Sequence, residues 1–219
     1  MTHSEKREGK DEDRLMIQNI LFDMGQVLIR FDREFFMERL GLSTEDRKIL
    51  MREVFLSVEW VQMDRGSLRE ETAAEQICSR IPQRLHDAAY KLISMWDRPI
   101  LPIEGMHELV QELKQAGYGI YLLSNASVRQ HEYWPRVPGN ELFDGTFISA
   151  DEGIMKPHPD YYLQAVDRFG LTPEECVFID DVPANVEGAM TCGIHGIVFH
   201  GDAKLLRSQL RAKGVRIME

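Results

Sequence analysis

A chain of 219 residues, 43% hydrophobic and 28% charged, is long enough to bury a sizeable core and too apolar to stay disordered. Its formal net charge of −10 offers no clustered Lys and Arg for a nucleic-acid backbone or an anionic membrane, whereas a small phosphorylated ligand needs only local positive charge. Cys78, Cys176 and Cys192 stand at unrelated spacings without a CxxC pair, so they read as buried free thiols.

Residues 1–14 are mostly charged and lack the apolar centre of a signal peptide, and no apolar run is long enough to span a bilayer. The expectation is a cytoplasmic protein with a disordered extension over 1–14. The first apolar run, "IQNILF", ends at Asp23. Four more follow: "YGIYLLS" to Ser124, "GTFIS" to Ser149, "CVFID" to Asp180 and "IHGIVF" to Phe199. Short apolar runs bounded by turn residues predict buried parallel strands.

Helical patterns alternate with them. They run from Ile103 to Ala116, Pro159 to Phe169, Ala184 to Cys192 and Ala203 to Lys213, each followed by a glycine stop, with Asp202 as N-cap of the last. This order predicts an α/β fold, a Rossmann-like doubly wound parallel sheet with its functional residues at the carboxyl ends of the strands. Between Phe31 and Pro99 only helical patterns occur ("REFFMERLG", "LREETAAEQICSRI", "LHDAAYKLISMW"). The expected organisation is a core of 15–30 and 100–219 with an α-helical cap of 31–99 inserted after the first strand.

The strand ends carry the chemistry. Asp23 suits a nucleophile, a metal ligand or a simple cap; Ser124 and Asn125 in "LLSNAS" suit an anion site or a helix cap. Lys156, before two prolines in "IMKPHPDYY", suits a fixed inward charge or a solvated one. Asp180 and Asp181, side by side in "FIDDVPANVEGA", repel each other unless a hard cation such as Mg²⁺ relieves them. Four candidate groups on successive strand ends suit phosphoryl transfer, where positioning and charge neutralisation do most of the catalysis.

From Ile17 onward the chain resembles the haloacid dehalogenase-like hydrolase superfamily, in the order and spacing of "FDMGQVL", "LLSN", "MKPHPDYY" and "FIDDVPANVEGA". The resemblance implies a Mg²⁺-dependent phosphatase for a small phosphorylated metabolite. Asp23 would form an aspartyl-phosphate; Ser124, Asn125 and Lys156 would hold phosphate oxygens. Asp23, the Gly25 carbonyl, Asp180 and Asp181 would surround the metal, the two adjacent acids able to exchange direct and water-mediated roles, and Asn185 would steady their loop. The cap, with Arg65 in "MDRGS" as a candidate or a solvated loop residue, would read the substrate, and the protein would be a monomer or homodimer with Trp60, Trp96 and Trp134 in cores.

One position departs from the pattern. Most phosphatases of the family carry a second Asp two residues after the nucleophile as general acid, and here that residue is Gly25. General acid–base help is worth about 10²–10⁴-fold. The departure implies a substrate with a good leaving group and turnover falling steeply as the leaving group becomes more basic. A subgroup of sugar-1-phosphate (alpha-D-glucose-1-phosphate) phosphatases has a similar Asp-x-Gly-x-Val opening, which "YWPRVPG" and "FIDD" also resemble. The alternatives are a 2-haloacid dehalogenase-type hydrolase and a non-catalytic binder of a phospho-ligand or protein. Asp32 and His158 are conceivable proton carriers, with helix N-cap and loop histidine as their simpler roles.

Overall fold

The computed structural model describes residues 16–217; the expected extension over 1–14 lies outside them. Five parallel strands, β1 (Asn19–Phe22), β2 (Gly119–Ser124), β3 (Gly145–Ile148), β4 (Cys176–Asp180) and β5 (His195–Val198), form one sheet in the order β3-β2-β1-β4-β5. The register pairs Phe22 with Leu122 on one side and Ile179 on the other, so the carboxyl ends of the three central strands finish level.

Alternation along β1 divides the core in two. Ile20 and Phe22 point into one layer, and Leu21 points into the other. The first layer is closed by Met106, Leu109, Val110 and Leu113 of α6 (Met106–Gln115) and by Leu206 and Leu210 of α11 (Ala203–Ala212). The second is closed by Tyr161, Tyr162 and Ala165 of α9 (Pro159–Phe169) and Ala189 of α10 (Pro183–Thr191). Both faces are covered, which is why the strands read as nearly unbroken apolar runs.

Between β1 and β2 the chain leaves the sheet as α1 (Arg33–Glu38), α2 (Thr44–Leu50) with a π-helical turn over Met51–Phe55, α3 (Val58–Asp64), α4 (Glu70–Cys78) and α5 (His86–Ser94). These elements bury their own cluster, including Phe36, Met37, Leu50, Val54, Ala73, Ile77, Ala89 and Leu92. The outgoing and returning segments run side by side. The Arg30 N–H donates to the Leu101 carbonyl at 2.7 Å, and the Ile103 N–H donates to the Leu28 carbonyl at 3.0 Å. This pairing uses Ile103, which the sequence assigns to the start of α6, and that helix begins three residues later, after Gly105 with φ of 79°.

Two short helices complete the core, α7 (Gln130–Tyr133) after β2 and α8 (Ser149–Glu152) after β3. The "GTFIS" run thus ends one residue early as a strand, and Ser149 opens α8. No helix among the described residues is long and apolar enough to cross a membrane.

Candidate active site

The site sits where β1, β2 and β4 end, under the helical cap. Lys156 is almost fully buried. Its ammonium donates to Asp23 Oδ1 at 2.7 Å, to Asp180 Oδ2 at 2.8 Å and to the Leu123 carbonyl at 2.8 Å. Burial works against its charge, but Asp23 and Asp180 outweigh that and hold it above the usual lysine range. The loop carrying it is tied down by Asn125, whose amide donates to the Lys156 carbonyl at 3.0 Å and accepts from the Lys156 N–H at 2.9 Å. Asn125 lines the cavity. The contacts its side chain makes are those of a clamp on Lys156.

Asp180 is fully buried and saturated with donors: Lys156, the Asn185 amide at 3.1 and 3.0 Å to its two oxygens, and the Val182 N–H at 2.8 Å. Asn185 is fixed in turn through its carbonyl, which accepts from the Tyr162 hydroxyl at 2.6 Å. Asp181 is the less buried of the adjacent acids and lines the cavity with Asp23, Gly25 and Ser124. Asp181 therefore offers the more accessible carboxylate to the cavity, with Asp180 behind it.

Carboxylate oxygens of Asp23, Asp180 and Asp181 come within 4.8 Å of one another. Burial pushes the Asp23 carboxyl up to about 7, Lys156 opposing and the Asp180 charge adding to the rise; Asp181 is raised by burial and by Asp180. Three mutually repelling hard oxygen donors fit a small divalent cation such as Mg²⁺, which would remove that repulsion.

Above these groups lies a cavity of about 260 Å³. Its floor is polar. Its walls are Met24, Ile29, Phe31, Trp60, Met63, Ile93, Trp96 and Tyr133, with Arg33, Asp64 and Glu70 of the cap as the charged groups. The Arg33 guanidinium lies 5.3 Å from the centre of the Phe31 ring, and its buried Nε has no hydrogen-bond partner. Trp60 and Trp96 flank Phe31 at 5.6 and 4.8 Å. Trp134 packs against Phe143 at 5.0 Å.

Other expected residues lie elsewhere. Arg65 is exposed and does not line the cavity, because helix α3 turns its neighbour Asp64 inward instead. Asp32 caps α1 by accepting from the Phe35 N–H at 3.0 Å, and His158 caps α9 by accepting from the Asp160 N–H at 3.2 Å. Asp64, Arg33 and Glu70 were not singled out in the sequence. The available signal was spacing: Trp60 and Asp64, four apart, share one face of α3.

At the end of α3 the cap meets the core closely. Ser149 Oγ donates to the Asp64 carbonyl and accepts from the Ala126 N–H at 3.0 Å. Gly66 has φ of 76°, and a Cβ on it would lie 2.1 Å from the Ala150 carbonyl oxygen. Ser127 Oγ donates to Glu70 at 3.0 Å.

The comparisons with known proteins agree with this architecture. A sesquiterpene phosphatase, astK of Aspergillus oryzae, is 27% identical over 190 residues, which are 81% of this chain and 87% of that protein. Flavin mononucleotide hydrolase 1 of Arabidopsis thaliana is 31% identical over 115 residues, 52% of this chain; the match spans 46% of the relative's own length. Among solved structures, a HAD family enzyme from Bacteroides thetaiotaomicron in complex with magnesium and inorganic phosphate superposes with a TM-score of 0.64 at 24% identity, covering 87% of this chain and 98% of that one. The family model for haloacid dehalogenase-like hydrolases matches residues 17–193, and the chain belongs to that family.

Proposed function

We propose that the protein is a Mg²⁺-dependent phosphatase that hydrolyses a small phosphorylated metabolite through an aspartyl-phosphate on Asp23. The observation that carries this reading is the buried Asp23–Lys156 contact of 2.7 Å on the floor of a cavity that Ser124 and Asp181 also line. Asp23, Asp181 and the Gly25 carbonyl would hold the metal, with Asp180 and Asn185 behind them. The metal, when bound, neutralises phosphoryl charge and orients the ester for in-line attack. Asp23 attacks phosphorus. Lys156 and the Ser124 hydroxyl hold the transferring oxygens, and Asn125 keeps Lys156 in place.

The aromatic and aliphatic walls bear on the organic part of the substrate. A bare sugar-1-phosphate, suggested by the opening motif, would find mostly carbon there, whereas a partly apolar or flat group would bury surface at about 25 cal/mol per Å². The two sequence relatives are named for a sesquiterpene and a flavin mononucleotide, both with large apolar parts. We therefore place a phosphate ester with an apolar or unsaturated group ahead of glucose-1-phosphate. The two acids clustered with the nucleophile, Asp180 and Asp181, disfavour a 2-haloacid, whose own carboxylate they would repel.

The test is release of inorganic phosphate from p-nitrophenyl phosphate, flavin mononucleotide, a prenyl phosphate and glucose-1-phosphate, each with Mg²⁺ and with chelator. Turnover should require the metal and disappear in Asp23→Asn without loss of fold. Near-wild-type activity in Asp23→Asn would remove it from the nucleophile's role.

A further inference from the structure

Gly25 has no side chain with which to protonate a leaving group, yet the cavity above it contains another carboxyl. Asp64 ends helix α3 on the cap and lines the same cavity as Asp23, Gly25 and Ser124 of the core. It is held on rigid elements: Ser149 of the core donates to its carbonyl, and Gly66 two residues on lies against Ala150. The neighbours that stabilise its carboxylate are the Ser127 backbone N–H and the Trp60 indole, with Arg33 farther out. Both of those nearest groups are donors only, so neither can accept a proton from Asp64.

We propose that Asp64 is the general acid and base of this enzyme, supplied by the cap in place of the acid missing at position 25. The inference rests on the phosphatase reading above. In the first step Asp23 Oδ forms a bond to phosphorus, the ester P–O bond breaks, and the electron pair leaves on the ester oxygen, which takes the Asp64 proton. In the second step the Asp64 carboxylate removes a proton from water, the resulting hydroxide bonds to phosphorus, and the Asp23–phosphorus bond breaks with its electrons returning to Asp23. Alcohol and phosphate are released, and Asp64 ends protonated.

The protonation state suits this cycle. Burial pushes the Asp64 carboxyl up to about 8, so it carries its proton at neutral pH. The titratable and charged groups facing it are Arg33 and Glu70 on the cap and Tyr133 on the core, whose hydroxyl burial holds well above the usual tyrosine range.

The experiment compares aryl and alkyl phosphates of graded leaving-group basicity, in the presence of Mg²⁺. In place of the steep dependence that Gly25 by itself implies, the wild type should show a shallow one, because the acid compensates for a poor leaving group. Asp64→Asn should make it steep, with alkyl phosphates losing about 10²–10⁴-fold and p-nitrophenyl phosphate far less. Alkyl turnover in the wild type should also fall as pH rises through about 8, a limb that Asp64→Asn removes. A Cβ on Gly25 meets nothing within 4 Å, so Gly25→Asp can be added to Asp64→Asn and should restore alkyl turnover in part. An equal loss on aryl and alkyl esters in Asp64→Asn, without rescue, means a structural role and overturns the proposal alone. No phosphate release by the wild type from any ester overturns the phosphatase reading and this inference together.

Discussion

Lys156 is the residue on which the charges of the site depend. Among the described residues it alone bridges Asp23 and Asp180, and both partners are buried. Lys156→Met keeps much of the volume but leaves carboxylates facing each other without a counter-charge, and breaking a buried pair in this way costs about 3–5 kcal/mol. We expect turnover to vanish and the urea midpoint to fall sharply, with Mg²⁺ recovering part of the stability; an unchanged midpoint would contradict the pairing. Residues of this kind were legible because a strand end fixes where a side chain goes. Asp23, Ser124, Asp180 and Asp181 end or directly follow apolar runs, and the stiff loop between α8 and α9 brings Lys156 to them. Asp64 was not legible for the opposite reason. Its neighbour Arg65 has the more suggestive charge, and only the rotation of α3 decides which of the two faces the cavity.

At the scale of elements, the seam between α3 and α8 decides how the cap sits. Gly66 combines a left-handed backbone with a contact that leaves no room for a methyl group. Gly66→Ala must strain φ and push the cap from Ala150, at a cost of about 1–3 kcal/mol. The expected result is a lower melting temperature and a raised KM, because Phe31, Trp60, Met63, Ile93 and Trp96 of the cavity wall belong to the cap. Equal KM values would show that the seam does not set the cavity. Such a contact is invisible in sequence, where "DRGS" reads only as a turn. Element boundaries drifted for similar reasons: Ile103 opens an apolar helical pattern, but its backbone is taken by Leu28.

The whole molecule is joined at Asp97, where the chain returns from the cap. It is fully buried, and its carboxylate is gripped by Arg129 and Arg136 of the core. Burial alone would raise its pKa, but hydrogen bonds from Arg136 and Arg129 outweigh it and hold the carboxyl below the usual range. A depressed folded-state pKa stabilises the protein above the unfolded value, and that contribution is lost as pH falls through the folded one. Asp97→Asn should therefore cost about 3–5 kcal/mol at pH 7 and make stability flatter toward acid, as urea melts at pH 7 and pH 4 would record. A parallel acid dependence in both proteins would rule this out. Arg136 also gives "YWPRVPG" a structural duty: it fastens the cap, while the aromatic Trp134 packs on Phe143 away from the cavity.

The side-by-side pairing of Arg30 with Leu101 and of Leu28 with Ile103 has a bearing on ancestry. A long excursion whose ends already touch adds little to the chain-closure entropy of the sheet, which grows only with the logarithm of loop length. The insertion is thus an interchangeable fitting. Its helices can change in length without disturbing the strand ends that carry Asp23, Ser124 and Asp180, but α3 takes the carboxyl of Asp64 with it, so a change in that helix reaches the floor and the wall of the cavity at once.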